Sequence, residues 1–237
     1  MLKRVPDPPG EVFRNVGTLV LLLSPVLAMA FGARGAATGG EPETRRFLFG
    51  WLAVSVGALI AFPPWFDHYG LPVLVPGCAC AAGFFARRSQ RRLAHVILAV
   101  VAIAGQITVL VNRANRGNGA QLAALARAVG SGPGCLYVYS GSTMLYRITG
   151  RCLVSRFVVP AHLNRLRETG AIGVDQTAEL RRILAAAPAV IVMRPPFRGE
   201  RADIRRIVLA HVRQHYRLAA VRPLGGENIA VYTRKHG

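Results

Sequence analysis

Four apolar runs almost free of charge lie in the first half of the chain, at residues 16–33, 47–62, 71–86 and 94–111. Each is close to the shortest helix that crosses the hydrocarbon core of a bilayer. One such run fits a buried core helix. Four in succession, with the charges gathered in their connections, predict a bundle of four transmembrane helices. The first run follows Asp7 and Glu11 rather than a purely basic leader, so it reads as a span and not as a cleavable signal.

Beyond Asn112 the pattern changes. Residues 112–134 read as a helix, with periodicity over Gln121–Val129, and a linker at Gly130-Ser131-Gly132-Pro133-Gly134. Residues 135–237 then alternate short apolar runs with amphipathic ones. Cys135–Tyr139 and Ala189–Met193 predict buried strands, and Ser142–Thr149 a short helix. Asp175 stands as N-cap to a helix over Thr177–Ala187, and Arg201–Tyr216 has the spacing of an amphipathic helix. Arg217–Val221 and Ile229–Thr233, around Gly225-Gly226, predict a closing hairpin. The expected fold is therefore an α-helical membrane bundle of four transmembrane helices, followed by a small α/β extracytoplasmic domain with partly parallel strands.

Arginine placement orients the bundle. Arg87, Arg88, Arg91 and Arg92 form the strongest basic connection, with Arg34 and Arg45-Arg46 marking the other loop on that side, so these loops are expected in the cytoplasm. The turn from Pro63 to Gly70, the N-terminal tail and everything after Val111 then face the other way.

The net charge of +19 is unevenly spread. Ten basic and five acidic residues precede Arg113; twenty and six follow from it onward. No nucleic-acid motif and no interleaving of basic residues with stacking aromatics accompanies the excess, so membrane lipids and other phosphates are the expected partners and nucleic acid is not. Cys78 and Cys80 fall within a span and read as small apolar residues. Cys135 and Cys152 could pair in an oxidising compartment, provided their Cα atoms come close enough.

Candidate chemistry concentrates in Phe62–Pro76. Asp67 is the only acid between Glu43 and Glu168, and ionisable groups at a membrane boundary are costly unless they bind something or reach water. Asp67 could serve as a general base, cap the following helix or sit in headgroup water. His68 and Tyr69 could hydrogen-bond a lipid phosphate or a sugar hydroxyl, or belong with Trp65 and Phe66 to an interfacial aromatic belt. In the second half, Arg147, Arg151 and Arg156 suit bidentate contacts to a lipid phosphate, although scattered surface arginines are the ordinary alternative. Tyr139-Ser140-Gly141-Ser142 follows a strand and could receive an anion. His211 and His215 share a helix face without a third ligand, and neither a metal nor a cofactor is expected.

The His68-Tyr69 turn with Leu71-Pro72-Val73-Leu74-Val75-Pro76 resembles the His-Tyr turn and proline-containing span of bacterial GT-C glycosyltransferases, the protein-mannosyltransferase and lipid A aminoarabinose-transferase-like group. Leu136–Ser142, Leu145-Tyr146, Thr149-Gly150-Arg151, Ser155-Arg156-Phe157, Ala187–Val192 and Ile229–Arg234 are similar to the extracytoplasmic C-terminal part of those enzymes. The resemblance implies residence in the bacterial inner membrane and recognition of a polyprenyl-phosphate sugar. It casts His68, Tyr69, Arg147, Arg151 and Arg156 as substrate contacts, with Asp67 a weak catalytic candidate. The family's catalytic acid usually lies in a first periplasmic loop of a larger bundle. Here Glu41 and Glu43 fall in a loop expected in the cytoplasm, so the chain is similar to the C-terminal portion alone. That implies a partner resembling the N-terminal half of such an enzyme. The alternative is a non-enzymatic membrane protein whose basic outer domain binds a partner or an anionic envelope polymer.

Overall fold

A computed structural model describes residues 9–33, 42–63 and 65–235. Arg34 and Glu41 of the first connection lie outside them. The described residues divide into two units, 9–108 and 109–235.

The first unit holds four long apolar helices, α1 (Pro9–Gly32), α2 (Pro42–Ala61), α3 (Leu71–Ala86) and α4 (Arg91–Arg116), the last continuing into the second unit. All four are long and apolar enough to cross a membrane. The helices extend beyond the uncharged runs at several ends, because the backbone has no reason to stop where the side chains become polar. α1 packs on α3 through Leu23, Val26 and Met29 against Val73, Cys80 and Phe84. Small residues permit the approach: Gly77 opposes Val26, and a Cβ on Gly32 would collide with the Phe84 ring. α2 buries Leu52 in the same cluster, while α4 contributes Ala94. The rest of α4 presents Val96, Val100, Ile103, Ile107 and Leu110 outward. An uninterrupted apolar surface of that extent has no place in water, and it identifies the chain as a membrane protein with four candidate spans.

The second unit is a sheet with helices on both faces. α5 (Gly119–Val129) opens with a capping box: Asn118 Oδ1 accepts from the Gln121 amide at 3.0 Å and Gln121 Oε1 from the Asn118 amide at 3.2 Å. β1 (Leu136–Val138), α6 (Met144–Thr149), α7 (Ala161–Asn164), α8 (Gln176–Ala185), β2 (Val190–Met193), α9 (Ala202–His215), β3 (Tyr216–Leu224) and β4 (Glu227–Arg234) follow. The strand order is β1-β2-β4-β3; β1 and β2 are parallel, and both other pairings are antiparallel. Strand alternation divides the core. Leu136, Val138, Val190 and Val192 face α5 and α6, whereas Tyr137, Ile191 and Met193 face α8 and α9. That double burial explains why β1 and β2 read as continuous apolar runs.

Asp175 caps α8 as its position suggested, accepting from the Thr177 and Ala178 amides at 2.8 and 3.1 Å. Cys135 and Cys152 form a disulfide with their Cα atoms 4.4 Å apart, which agrees with an extracytoplasmic setting for this domain.

Candidate functional site

The aromatic turn lies between α2 and α3. Trp65 adopts a positive φ of 55° and its indole N–H donates to the Ile60 carbonyl at 3.3 Å, satisfying one of the last carbonyls of α2. A 3-10 turn over Asp67–Gly70 then leads directly into α3. Gly70 is packed against Leu19 and Leu23 of α1, where a Cβ would come within 3.1 Å of the Leu19 side chain. The turn is thereby fixed to the bundle while Asp67 and His68 remain exposed.

Asp67 does not cap α3. Its Oδ1 accepts from the His68 amide at 2.9 Å and stands 3.4 Å from His68 Nδ1. The pair is local, with side chains 69% and 62% exposed for Asp67 and His68. The His68 ring stacks on Phe66 with centroids 5.6 Å apart, and the edge-on Tyr69 ring lies 4.8 Å away. Beneath His68 and Tyr69 runs a groove of about 570 Å³ between α2 and α3, walled by Trp51, Val54, Ala58, Phe62 and Pro72. A second groove of about 620 Å³, apolar but for Ser24, lies between α1 and α2 with Trp65 at one end. The first groove therefore has a polar end and a body that is apolar apart from Ser55, the form that an amphiphile requires.

The three arginines singled out in the second unit have separate surroundings. Arg151 is turned inward: its Nε donates to the Gly130 carbonyl, Nη1 to those of Pro133 and Gly134, and Nη2 to that of Val129, at 2.8–3.2 Å. It clasps the end of α5 and the glycine-rich linker, and most of its donor capacity is spent there. Little of the guanidinium is left for the phosphate contact that the resemblance implies for Arg151. Burial also lowers its pKa from the ordinary arginine value. Arg156 is exposed and lies over the Phe157 ring at 5.0 Å, while Arg147 projects from α6 into solvent.

The Ser140 hydroxyl, at the end of β1, accepts from the Arg194 amide at 3.0 Å, which commits it to joining the ends of β1 and β2. α6 begins only at Met144. The His211 and His215 rings lie with centroids 4.6 Å apart and their planes tilted by 48°; burial first, and His215 second, hold His211 below its ordinary pKa. Among the described residues no three His, Cys, Asp or Glu side chains gather as metal ligands.

A polar network that the sequence reading did not anticipate holds the long segment between α6 and α8. Asn164 donates from Nδ2 to the Tyr139 carbonyl at 2.6 Å, and its own carbonyl accepts from the Arg201 amide at 2.8 Å. Gln176 donates to the Glu168 carbonyl at 2.8 Å and accepts from Arg201 Nη1 at 2.9 Å. Tyr139 donates to Glu200, which also receives Arg205. Burial, reinforced by the Glu200 hydrogen bond, raises the Tyr139 pKa well above its usual value. Asn164 and Gln176 gave no periodic signal; their meaning depends on partners distant in sequence.

Every acid from Arg113 onward is engaged. Asp175 caps α8; Glu168, Glu179, Glu200, Asp203 and Glu227 face Arg167, Arg182, Arg205, Arg201 and Arg194 within 3.6 Å. The remaining arginines supply the domain's positive surface. No protein-family model, curated protein or solved structure matches this chain.

Proposed function

We propose that this protein recognises a lipid-borne phosphate in the membrane, as the C-terminal portion of a GT-C-like glycosyltransferase that takes a polyprenyl-phosphate sugar. The observation that carries the reading is the α2–α3 groove, with His68 and Tyr69 at its polar end and a largely apolar body beneath them. An isoprenoid chain fits such a channel by apolar burial, and the imidazole and phenol at its mouth can donate to phosphate oxygens. In this reading the protein resides in the bacterial inner membrane with its α/β domain outside. Transfer proceeds by inverting displacement at the anomeric carbon with phosphate as leaving group. Asp67, tied to its own neighbour, is not assigned the catalytic base; a partner chain would supply it.

A photoreactive polyprenyl phosphate tests the reading on the full chain in proteoliposomes. Crosslinks are expected in the peptides carrying Trp51–Phe62 and His68–Pro72, and should fall in His68→Ala and Tyr69→Phe. Labelling spread evenly over all four spans, or unchanged in both variants, would sink it.

A second reading is favoured by the engagement of all six acids in the outer domain, which leaves a basic surface. A non-enzymatic membrane protein binding an anionic partner through that surface would show salt-sensitive capture of the polymer and no dependence on His68 or Tyr69.

A further inference from the structure

The exit of α4 and the β3–β4 turn are joined at one level. The Gly226 amide donates to the Asn115 carbonyl at 3.3 Å, and the Gly225 amide donates to Gln121 Oε1 at 3.1 Å. Gly117 and Gly225 have φ of 91° and 64°. A Cβ on the first would strike Leu224 and the Gly225 amide, and one on the second the Asn115 carbonyl. Two glycines thus bring the hairpin turn onto the last turn of α4.

The sheet register shows what else lies at that end. β2 and β4 are antiparallel, with Val190 opposite Thr233 and Met193 opposite Ala230. The carboxyl end of β2, and of β1 parallel to it, therefore points the same way as the hairpin turn. Tyr216 pairs with Arg234 at the other end of the hairpin, about 25 Å away at the rise of a strand.

Depth follows from helix geometry. Residues 93–112 of α4 contain no Asp, Glu, Lys or Arg, and at 1.5 Å per residue they span about 30 Å, the thickness of the hydrocarbon core. Asn115 lies about 5 Å further along the axis, within a headgroup layer roughly 5–7 Å deep. Arg113 and Arg116 flank Asn115, and Arg222 stands two residues before Leu224; all three are exposed and none pairs with a carboxylate among the described residues. Glu227, the hairpin's acid, is occupied by Arg194 at 3.6 Å. Val221 and Pro223 are exposed on either side of Arg222, giving the mixed apolar and basic character of an interfacial contact.

We propose that Arg113, Arg116 and Arg222, with the β3–β4 turn, form a contact for anionic phospholipid headgroups that seats the α/β domain on the bilayer surface. Helix rise puts Arg113 and Arg116 at headgroup depth, and Arg222 lies in the strand that leads into the turn joined to Asn115, an arrangement that gains from a charged surface. This goes beyond the lipid-phosphate groove and does not depend on it.

The test uses the full chain with Cys78→Ala and Cys80→Ala, which leaves the disulfide intact. An environment-sensitive fluorophore is placed at Pro223→Cys, or in a parallel variant at Asn228→Cys. Gln214→Cys, near the far end of the hairpin, serves as control. In phosphatidylcholine vesicles carrying headgroup spin-labelled lipid, quenching is expected at 223 and 228 and not at 214. Adding phosphatidylglycerol should increase it, and Arg113→Gln/Arg116→Gln/Arg222→Gln should abolish that increase. Equal quenching at all three positions, or an increase that survives the triple variant, overturns the proposal. It is also overturned if inorganic phosphate removes the increase while chloride of equal ionic strength does not, since the arginines would then form a pocket for a free anion.

Discussion

Tyr139 donates its phenolic hydrogen to Glu200 Oε1 at 2.8 Å across 61 residues of chain. Arg205 closes on both oxygens of the same carboxylate at 2.9 and 3.1 Å and donates its other terminal nitrogen to the Arg194 carbonyl at 3.2 Å. One acid, its side chain 5% exposed, therefore ties the end of β1 to the end of β2 and the start of α9. Glu200→Ala would leave Arg205 without its counter-ion and should cost about 3–5 kcal/mol. Tyr139→Phe keeps the ring and should cost about 1 kcal/mol. Thermal unfolding of the purified chain in detergent checks the order; similar losses for the two variants would contradict it.

The disulfide holds Cys152 to Cys135 and so brings Arg151 over the carbonyls of Val129–Gly134. Replacing both cysteines with alanine should cost about 3 kcal/mol for a closed loop of this size. Amide exchange should then rise first at the end of α5 and in the linker. Alkylation of the denatured, unreduced chain should modify Cys78 and Cys80 alone, with Cys135 and Cys152 following after reduction.

Gly225→Ala should fail in a different way. The substitution meets the Asn115 carbonyl and requires a left-handed backbone, which costs about 1–2 kcal/mol before any steric term. Gly226→Ala meets nothing within 4 Å and should be much milder. Hydrogen exchange in the β3–β4 turn distinguishes them, with protection lost in the first and largely kept in the second.

Glu179 gives the α/β domain an acid-sensitive element. Two hydrogen bonds from Arg182 at 2.8 Å, with one from Ser155 at 2.6 Å, hold its carboxyl below the ordinary 4.5. The folded state therefore binds fewer protons than the unfolded state between that lowered pKa and 4.5. Its contribution is complete above pH 4.5 and disappears as pH falls through the folded pKa. Glu179→Gln should flatten the stability profile in this window and should lower stability at neutral pH by about 1–2 kcal/mol.

Much of the fold was readable because it rests on periodicity and local chemistry. Charge-free length marked the four spans, Asp175 marked its helix, and Gly225-Gly226 marked the hairpin. Partly parallel strands followed from the alternation of strands and helices, and β1 and β2 are the parallel pair. The site was less legible. Asp67 suited a cap or a solvated charge better than a base, and the geometry of one 3-10 turn decided against the cap. Arg151 resembled a free surface cation because its partners are backbone carbonyls of a glycine-rich linker, which carry no sequence signature. The Asn164, Gln176 and Glu200 network was invisible for the same reason: a hydrogen-bond partner many residues away leaves no pattern.

The pairing of α1 with α3, through Gly77 and Gly32, has a consequence for biogenesis. α1 finds its main apolar partner only after α2 and α3 have been made, more than fifty residues beyond Gly32. At about 5–20 residues per second, roughly three to ten seconds of synthesis separate the two. During that interval α1, with its Pro25, has only lipid or the insertion machinery against its packing face. Substitutions that enlarge Gly77 should therefore act late, leaving insertion of α1 unaffected while preventing the closure that follows.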